Sequence, residues 1–265
     1  MSAGFDNPEV SDNPEVSDTP DDASDPAGAV RSPNIWGSPQ TYETHNLALD
    51  RAGVIDRALL RISGRPDWRG ATVVELGCGT GFHLPRLAET ARTVIGVEPH
   101  RPLAALAQQR VDGMPSGPDG LGAPVTVVVA GAQATGLFPA SVDAAIARWA
   151  YFFGPGCEPG LAELGRIVRP GGSAFVVDND ATRSTFGSWF SAAWPDYDAA
   201  AVERFWTRQG WARESLDVSW EFDSRADFEA VLSWEFPPSM CQRIFTREPT
   251  RTSVDYAVTL RWRRY

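Results

Sequence analysis

Val73-Val74-Glu75-Leu76-Gly77-Cys78-Gly79-Thr80-Gly81 runs an apolar strand straight into glycines at alternate positions. Residues 72–76 read as a buried strand, and a helical pattern follows over 82–89. Glycine lets the backbone bend sharply and approach a ligand closely, and the helix beyond offers N–H groups at its start. Such a turn suits a nucleotide-like cofactor. A dinucleotide fingerprint needs a glycine three residues past Gly79, where Phe82 stands. The spacing is GxGxG, which disfavours a nicotinamide-dependent oxidoreductase.

Outward from this turn the same alternation repeats. Residues 93–97, 125–129, 143–147 and 173–177 are short apolar runs that read as buried strands. Helical patterns at 47–62, 82–89, 102–111 and 159–168 lie before and between them, and the Gly/Pro-rich stretch 113–124 reads as a surface loop. Strands alternating with helices predict a parallel sheet covered on both faces. The second strand ends in Glu98, 17 residues after Gly81, where a carboxylate can accept both hydroxyls of a ribose. In the last third, 213–222 and 253–263 alternate like half-exposed strands around a helical stretch at 227–245.

These residues resemble a known family. ELGCGTG at 75–81, VIGVEPH at 94–100, AGAQATGLFPASVDAAIARWAYFF at 130–153 and LAELGRIVRPGGSAFVVD at 161–178 look like class I S-adenosylmethionine-dependent methyltransferases, in particular the type 11 group. The resemblance implies an α/β, Rossmann-like, seven-stranded, mostly parallel sheet with a C-terminal antiparallel strand and helices on both faces. It implies S-adenosylmethionine as cofactor, with Glu75 under the methionine ammonium and the backbones of Gly77, Cys78 and Gly79 facing the cofactor. Glu98 would hold the ribose, Pro99 and His100 would border the adenine, and Arg148 would lie near the methionine moiety. Family members often carry an acid after the third strand to contact the adenine amine. Gly131 stands there, so adenine would rely on the backbone around Ala132 or on Gln133.

Composition narrows the chemistry. All 24 basic residues are Arg, so Schiff-base, pyridoxal-phosphate and Walker-A chemistries, which need a Lys amine, are excluded. The net charge of −10 sits mostly at the start: residues 1–40 hold eight acids and one base. Residues 1–32, with the repeat DNPEVS, read as a disordered acidic tail ahead of a single domain at 33–265. No basic stripe predicts nucleic acid, no apolar run predicts a membrane span, and no leader is apparent. The three scattered cysteines fit neither a disulfide framework nor a metal site, and a cytoplasmic location is expected.

Methyl transfer from a sulfonium is an in-line displacement, so the protein chiefly aligns a small-molecule acceptor. A general base, where one is needed, comes from a short roster. His45 precedes the first helix, and Asp178 and Asp180 follow the fifth strand at the sheet edge where such folds bind ligands, although both acids could instead cap a helical segment at 182–194. Tyr42, Trp149 and Tyr151 are the substrate-lining candidates. Eight of the ten Trp residues fall at 149 or beyond, either lining a chamber or filling the second half's core. The competing reading is a module that holds S-adenosylmethionine without catalysis.

Overall fold

The computed structural model describes residues 25, 26, 28, 29, 32, 34–114 and 122–265. Its centre is β1 (Thr72–Leu76), in which all five residues are buried, as expected of a strand covered on both faces. Around it lie β2 (Thr93–Val97), β3 (Val125–Val128), β4 (Val142–Arg148) and β5 (Val168–Asn179), all parallel. β7 (Ser253–Arg264) enters antiparallel between β5 and β6 (Ala212–Glu221), giving the order β3-β2-β1-β4-β5-β7-β6. The expected seven-stranded sheet is present. Chain order reverses between β1 and β4, which opens a crevice at the carboxyl ends of those strands.

Alternate side chains supply two cores. Val73, Ile146, Phe175 and Val177 face one way, against Leu59 and Trp220. Val74, Leu76, Ala145 and Val176 face the other, against Leu164, Phe205 and Trp206. The helices on these faces are α1 (Pro39–Ala48), α2 (Val54–Ser63), α3 (Leu84–Ala88), α4 (Arg101–Asp112), α5 (Glu158–Ile167), α6 (Ser184–Ala193), α7 (Ala199–Arg208), α8 (Arg225–Glu235) and α9 (Pro238–Arg247).

Two expected helices are each divided. The stretch 47–62 is broken because Leu49 bridges to Trp220, while Asp50 at φ 53° and Gly53 at φ 70° turn the chain. The Asp50 carboxylate then accepts the N–H groups of Val54 and Ile55, both at 2.8 Å, and starts α2. The stretch 227–245 is broken at Pro237, after which Pro238 opens α9. Most of the tail expected at 1–32 lies outside the described residues, but Asp25 is held in place, as described below. Residues 115–121 of the expected loop also lie outside them. Among the described residues, no helix is long and apolar enough to cross a membrane, and no three His, Cys, Asp or Glu side chains gather as a metal site.

Candidate cofactor and acceptor site

The glycine turn after β1 is fixed by its own backbone. Gly77, Gly79 and Gly81 all have positive φ, at 69°, 56° and 75°. The N–H groups of Gly77 and Cys78 both donate to the Val97 carbonyl, at 2.7 and 3.1 Å, and Gly79 N–H donates to Glu98 Oε2 at 2.9 Å. These N–H groups lock the turn onto β2. The Cys78 thiol packs on Gly96, 2.8 Å from where a Cβ would stand, and burial raises it well above a free thiol.

Two buried carboxylates flank the turn. Glu98 is 4% exposed; its Oε1 accepts His100 N–H at 3.0 Å, and each oxygen keeps a further lone pair. Burial raises its pKa, against those two backbone donors. Glu75 is 2% exposed and pairs with Arg148, which also reaches Asp56 at 2.9 Å; Asp56 in turn takes Arg86 at 3.0 Å. Burial raises Glu75 as well, against the Arg148 charge. Its second oxygen, Oε2, is buried with no hydrogen-bond partner. A buried acceptor of this kind is costly unless something donates to it. An ammonium is the natural donor, so the residues fit a cofactor with a cationic amino-acid end over Glu75 and a ribose over Glu98.

Around the expected nucleoside end the structure shows contacts that the sequence does not announce. Gln133 folds its amide over Gly131, within 2.5–2.8 Å of where a Cβ on that glycine would lie. The carboxamide therefore takes the space an acid at 131 would need. Ala132 is buried beside it, and Pro99 is half-buried between Glu98 and His100. The early part of the chain crosses this end as a strap. Asp25 lies 3.0 Å from His100 Nδ1 and accepts Arg101 N–H at 3.2 Å. Trp36 stacks on His100 at 3.9 Å, Gly28 packs on Gln133, and Ile35 packs on Gly79.

Helix α1 lies across the mouth. Thr80 donates to Glu43, which also takes Arg110 at 2.8 Å, tying α1 to the glycine turn and to α4. Tyr42 then reaches Gly79, its phenol within the electrostatic reach of Glu75, Glu98 and Arg148. The other edge of its ring joins an aromatic cluster: His45 at 5.7 Å and Trp234 at 6.1 Å. His45 also meets Trp220, Trp234 and Trp149, at 5.2, 6.0 and 6.3 Å. Trp149 holds a left-handed φ of 47°, a strained state for a bulky residue. Its indole donates to Asn179 Oδ1 at 2.7 Å, and Tyr256 donates to the same oxygen.

The candidates thus separate. Tyr42, His45 and Trp149 come together. Desolvation lowers His45 to about 4, so its imidazole is neutral at physiological pH. Asp178 points to the opposite face from Asn179, toward Tyr197 and Arg261, and burial raises it to about 6. Asp180 is occupied as a fastener: it accepts Ser215 at 2.6 Å, Thr182 at 2.6 Å and Arg213 at 2.8 Å. Burial would raise it, but these donors outweigh burial and lower it. Tyr151 packs on Gly160 of α5 and on Phe152, apart from the cluster.

Sequence reading missed Trp220, Trp234, Glu235 and Tyr256 as neighbours of this cluster. One signal was available: Glu235 is the last residue of α8, where the helix dipole disfavours an anion, and that last turn carries no basic residue.

Residues 74–176 match the family model described as Methyltransferase domain. Among solved structures, the YcgJ protein of Bacillus subtilis is similar with a TM-score of 0.55 and 13% identity, over 80% of this chain and 99% of that one. The protein held by the Haloferax volcanii Trm112 methyltransferase activator gives 0.51 and 18%, over 87% and 95%. The 4+2 cyclase SpnF gives 0.51 and 18%, over 79% and 80%. No curated protein matches the chain. These likenesses carry the fold, and a cyclase among them means that acceptor chemistry has to be argued from the site.

Proposed function

We propose, for a chain whose residues 74–176 are a class I methyltransferase domain with S-adenosylmethionine as its cofactor, that it transfers the methyl group to a small-molecule acceptor seated between α1, α8 and the carboxyl ends of β4 and β5. When bound, the cofactor supplies an electrophilic methyl carbon and a neutral sulfide leaving group. The chain's own residues bind and orient. Glu75 Oε2 takes the ammonium, Arg148 and Asp56 hold Glu75 in place, and Glu98 takes the ribose hydroxyls. Gln133, His100 and Trp36 enclose the base. The observation that carries this reading is the unpartnered Glu75 oxygen beneath the glycine turn, with the Glu98 carboxylate beside it.

The test is calorimetry with S-adenosylhomocysteine. Each lost charge-assisted hydrogen bond costs about 1.5–3 kcal/mol, so Glu98→Ala should weaken binding by about 100-fold or more. Unchanged affinity would remove Glu98 from the ribose site, and no binding by the unaltered protein would overturn the reading.

A second reading has one observation in its favour. The imidazoles near the acceptor cluster are weak bases: His45 is held at about 4, and burial holds His83 well below its ordinary value. Such a site suits either an acceptor that needs no base or a module that holds the cofactor without turnover. Incorporation of labelled methyl into any product decides for the enzyme.

A further inference from the structure

The cluster under α1 is built for a charge that this chain does not supply. Its ring surfaces are Tyr42 and His45 from α1, Trp149 after β4 and Trp234 in α8, over a floor of Trp220, which is fully buried. Beside them stands the Glu235 carboxylate, half-buried and raised to about 7 by desolvation alone. Among the described residues, no hydrogen bond or ion pair to Glu235 is present. It lies close enough to Tyr256 to raise that phenol, and Tyr256 shares Asn179 with Trp149. Glu235, next to Trp234 in the chain, is thus linked to Trp149 through Tyr256 and Asn179. His45 adds no positive charge to the cluster, since burial keeps its imidazole neutral. Arg148, whose charge reaches Tyr42, is sequestered by Glu75 and Asp56.

Aromatic faces attract cations through the ring quadrupole, most strongly where water is excluded. Resting on the methyltransferase reading above, we infer that the acceptor is an aliphatic amine, with its substituted nitrogen in the box of Tyr42, His45, Trp149 and Trp234 and Glu235 as counter-charge. The nitrogen lone pair attacks the methyl carbon; a C–N bond forms, and the C–S bond breaks with its electron pair passing to sulfur. The positive charge moves from sulfur to nitrogen. An aliphatic amine is an ammonium at neutral pH, so one proton first passes from nitrogen to the Glu235 carboxylate or to water, and the product nitrogen, quaternary or protonated, carries the charge. The charge grows on nitrogen as the bond forms, so π faces and carboxylate favour the transition state over the neutral amine. The Glu235 carboxylate takes the place of an imidazole as acceptor of that proton.

The probes are choline and 3,3-dimethylbutan-1-ol, which have the same shape but differ in charge. Calorimetry is run on the full chain saturated with S-adenosylhomocysteine. Choline should bind about 10-fold or more tightly than the neutral alcohol. Glu235→Gln and, separately, Trp234→Leu should each cost choline about 10-fold, with the alcohol little changed and S-adenosylhomocysteine affinity retained as the control for folding. Equal binding of the two probes, or binding of neither by protein that holds S-adenosylhomocysteine, overturns the amine acceptor and leaves the cofactor reading intact. Failure to bind S-adenosylhomocysteine removes both.

Discussion

Glu235 carries a pH dependence whose sign follows from its surroundings. It ionises near 7, and Tyr256 of β7, on which it acts, stays neutral across pH 5–9, as do Tyr42 and His45 of the same cluster. Asp178, on the far side of Tyr256, titrates near 6. Affinity for choline should therefore rise as pH climbs from 6 to 8, and Glu235→Gln should flatten the upper part of that rise. The stability dependence has the opposite sense. A carboxyl whose folded pKa lies above its ordinary value binds more protons in the fold, so stability falls as pH rises from about 4.5 through about 7. Glu235→Gln should then stabilise the ligand-free protein at pH 8 by about 1–2 kcal/mol, discounted for partial exposure, and do little at pH 4.5. Thermal melts at the two pH values check it. None of this was legible in the sequence, where Glu235 is one acid among 34 and only its position at the end of α8 marks it.

Elements differ in how much of their cause is local. The strands β1 and β4 were readable because burial on both faces demands continuous apolar runs, whereas β3, at the sheet edge and without a buried residue, was readable from its β-branched run alone. Helix α1 was not. Its sequence PQTYETHNLA has no apolar stripe, and it buries His45 and Asn46. It is held instead by Glu43 against Thr80 and Arg110, contacts across 37 and 67 residues that no local window contains. The break between α1 and α2 rests on Asp50, whose carboxylate accepts two otherwise unpaired N–H groups. Asp50→Ala should cost about 1 kcal/mol, or about 2–4 °C in Tm, with S-adenosylhomocysteine affinity little changed. Gly77→Ala should be worse. Its φ of 69° is strained for any L side chain, and the new methyl would collide with the Ala150 side chain. The expected loss is about 2 kcal/mol or more together with impaired cofactor binding, read by melt and calorimetry.

At the scale of the whole molecule, a ligand that binds only the folded state raises Tm by mass action. S-adenosylhomocysteine at 100 times its Kd should add about 2.7 kcal/mol, an upward shift of about 5–10 °C by thermal fluorescence. Glu98→Ala measured at the same concentration should lose most of that shift. The two halves of the site were unequally legible for a reason of chain layout. The glycines at 77, 79 and 81 and Glu98 stand out by spacing at strand ends, while Glu75, Pro99 and His100 enter through the family resemblance. The box and its counter-charge draw on residues 42, 45, 149, 234 and 235, with 220 beneath and 256 beside them, brought together only when β7 turns back between β5 and β6. That reversed strand has a practical corollary. It delivers the beginning of the chain's final segment to the rim where the parallel strands finish, so the two ligands abut in space while their determinants are encoded largely apart. A chimera that exchanges the stretch from α6 onward would rewrite much of what is methylated and leave the apparatus that supplies the methyl group untouched.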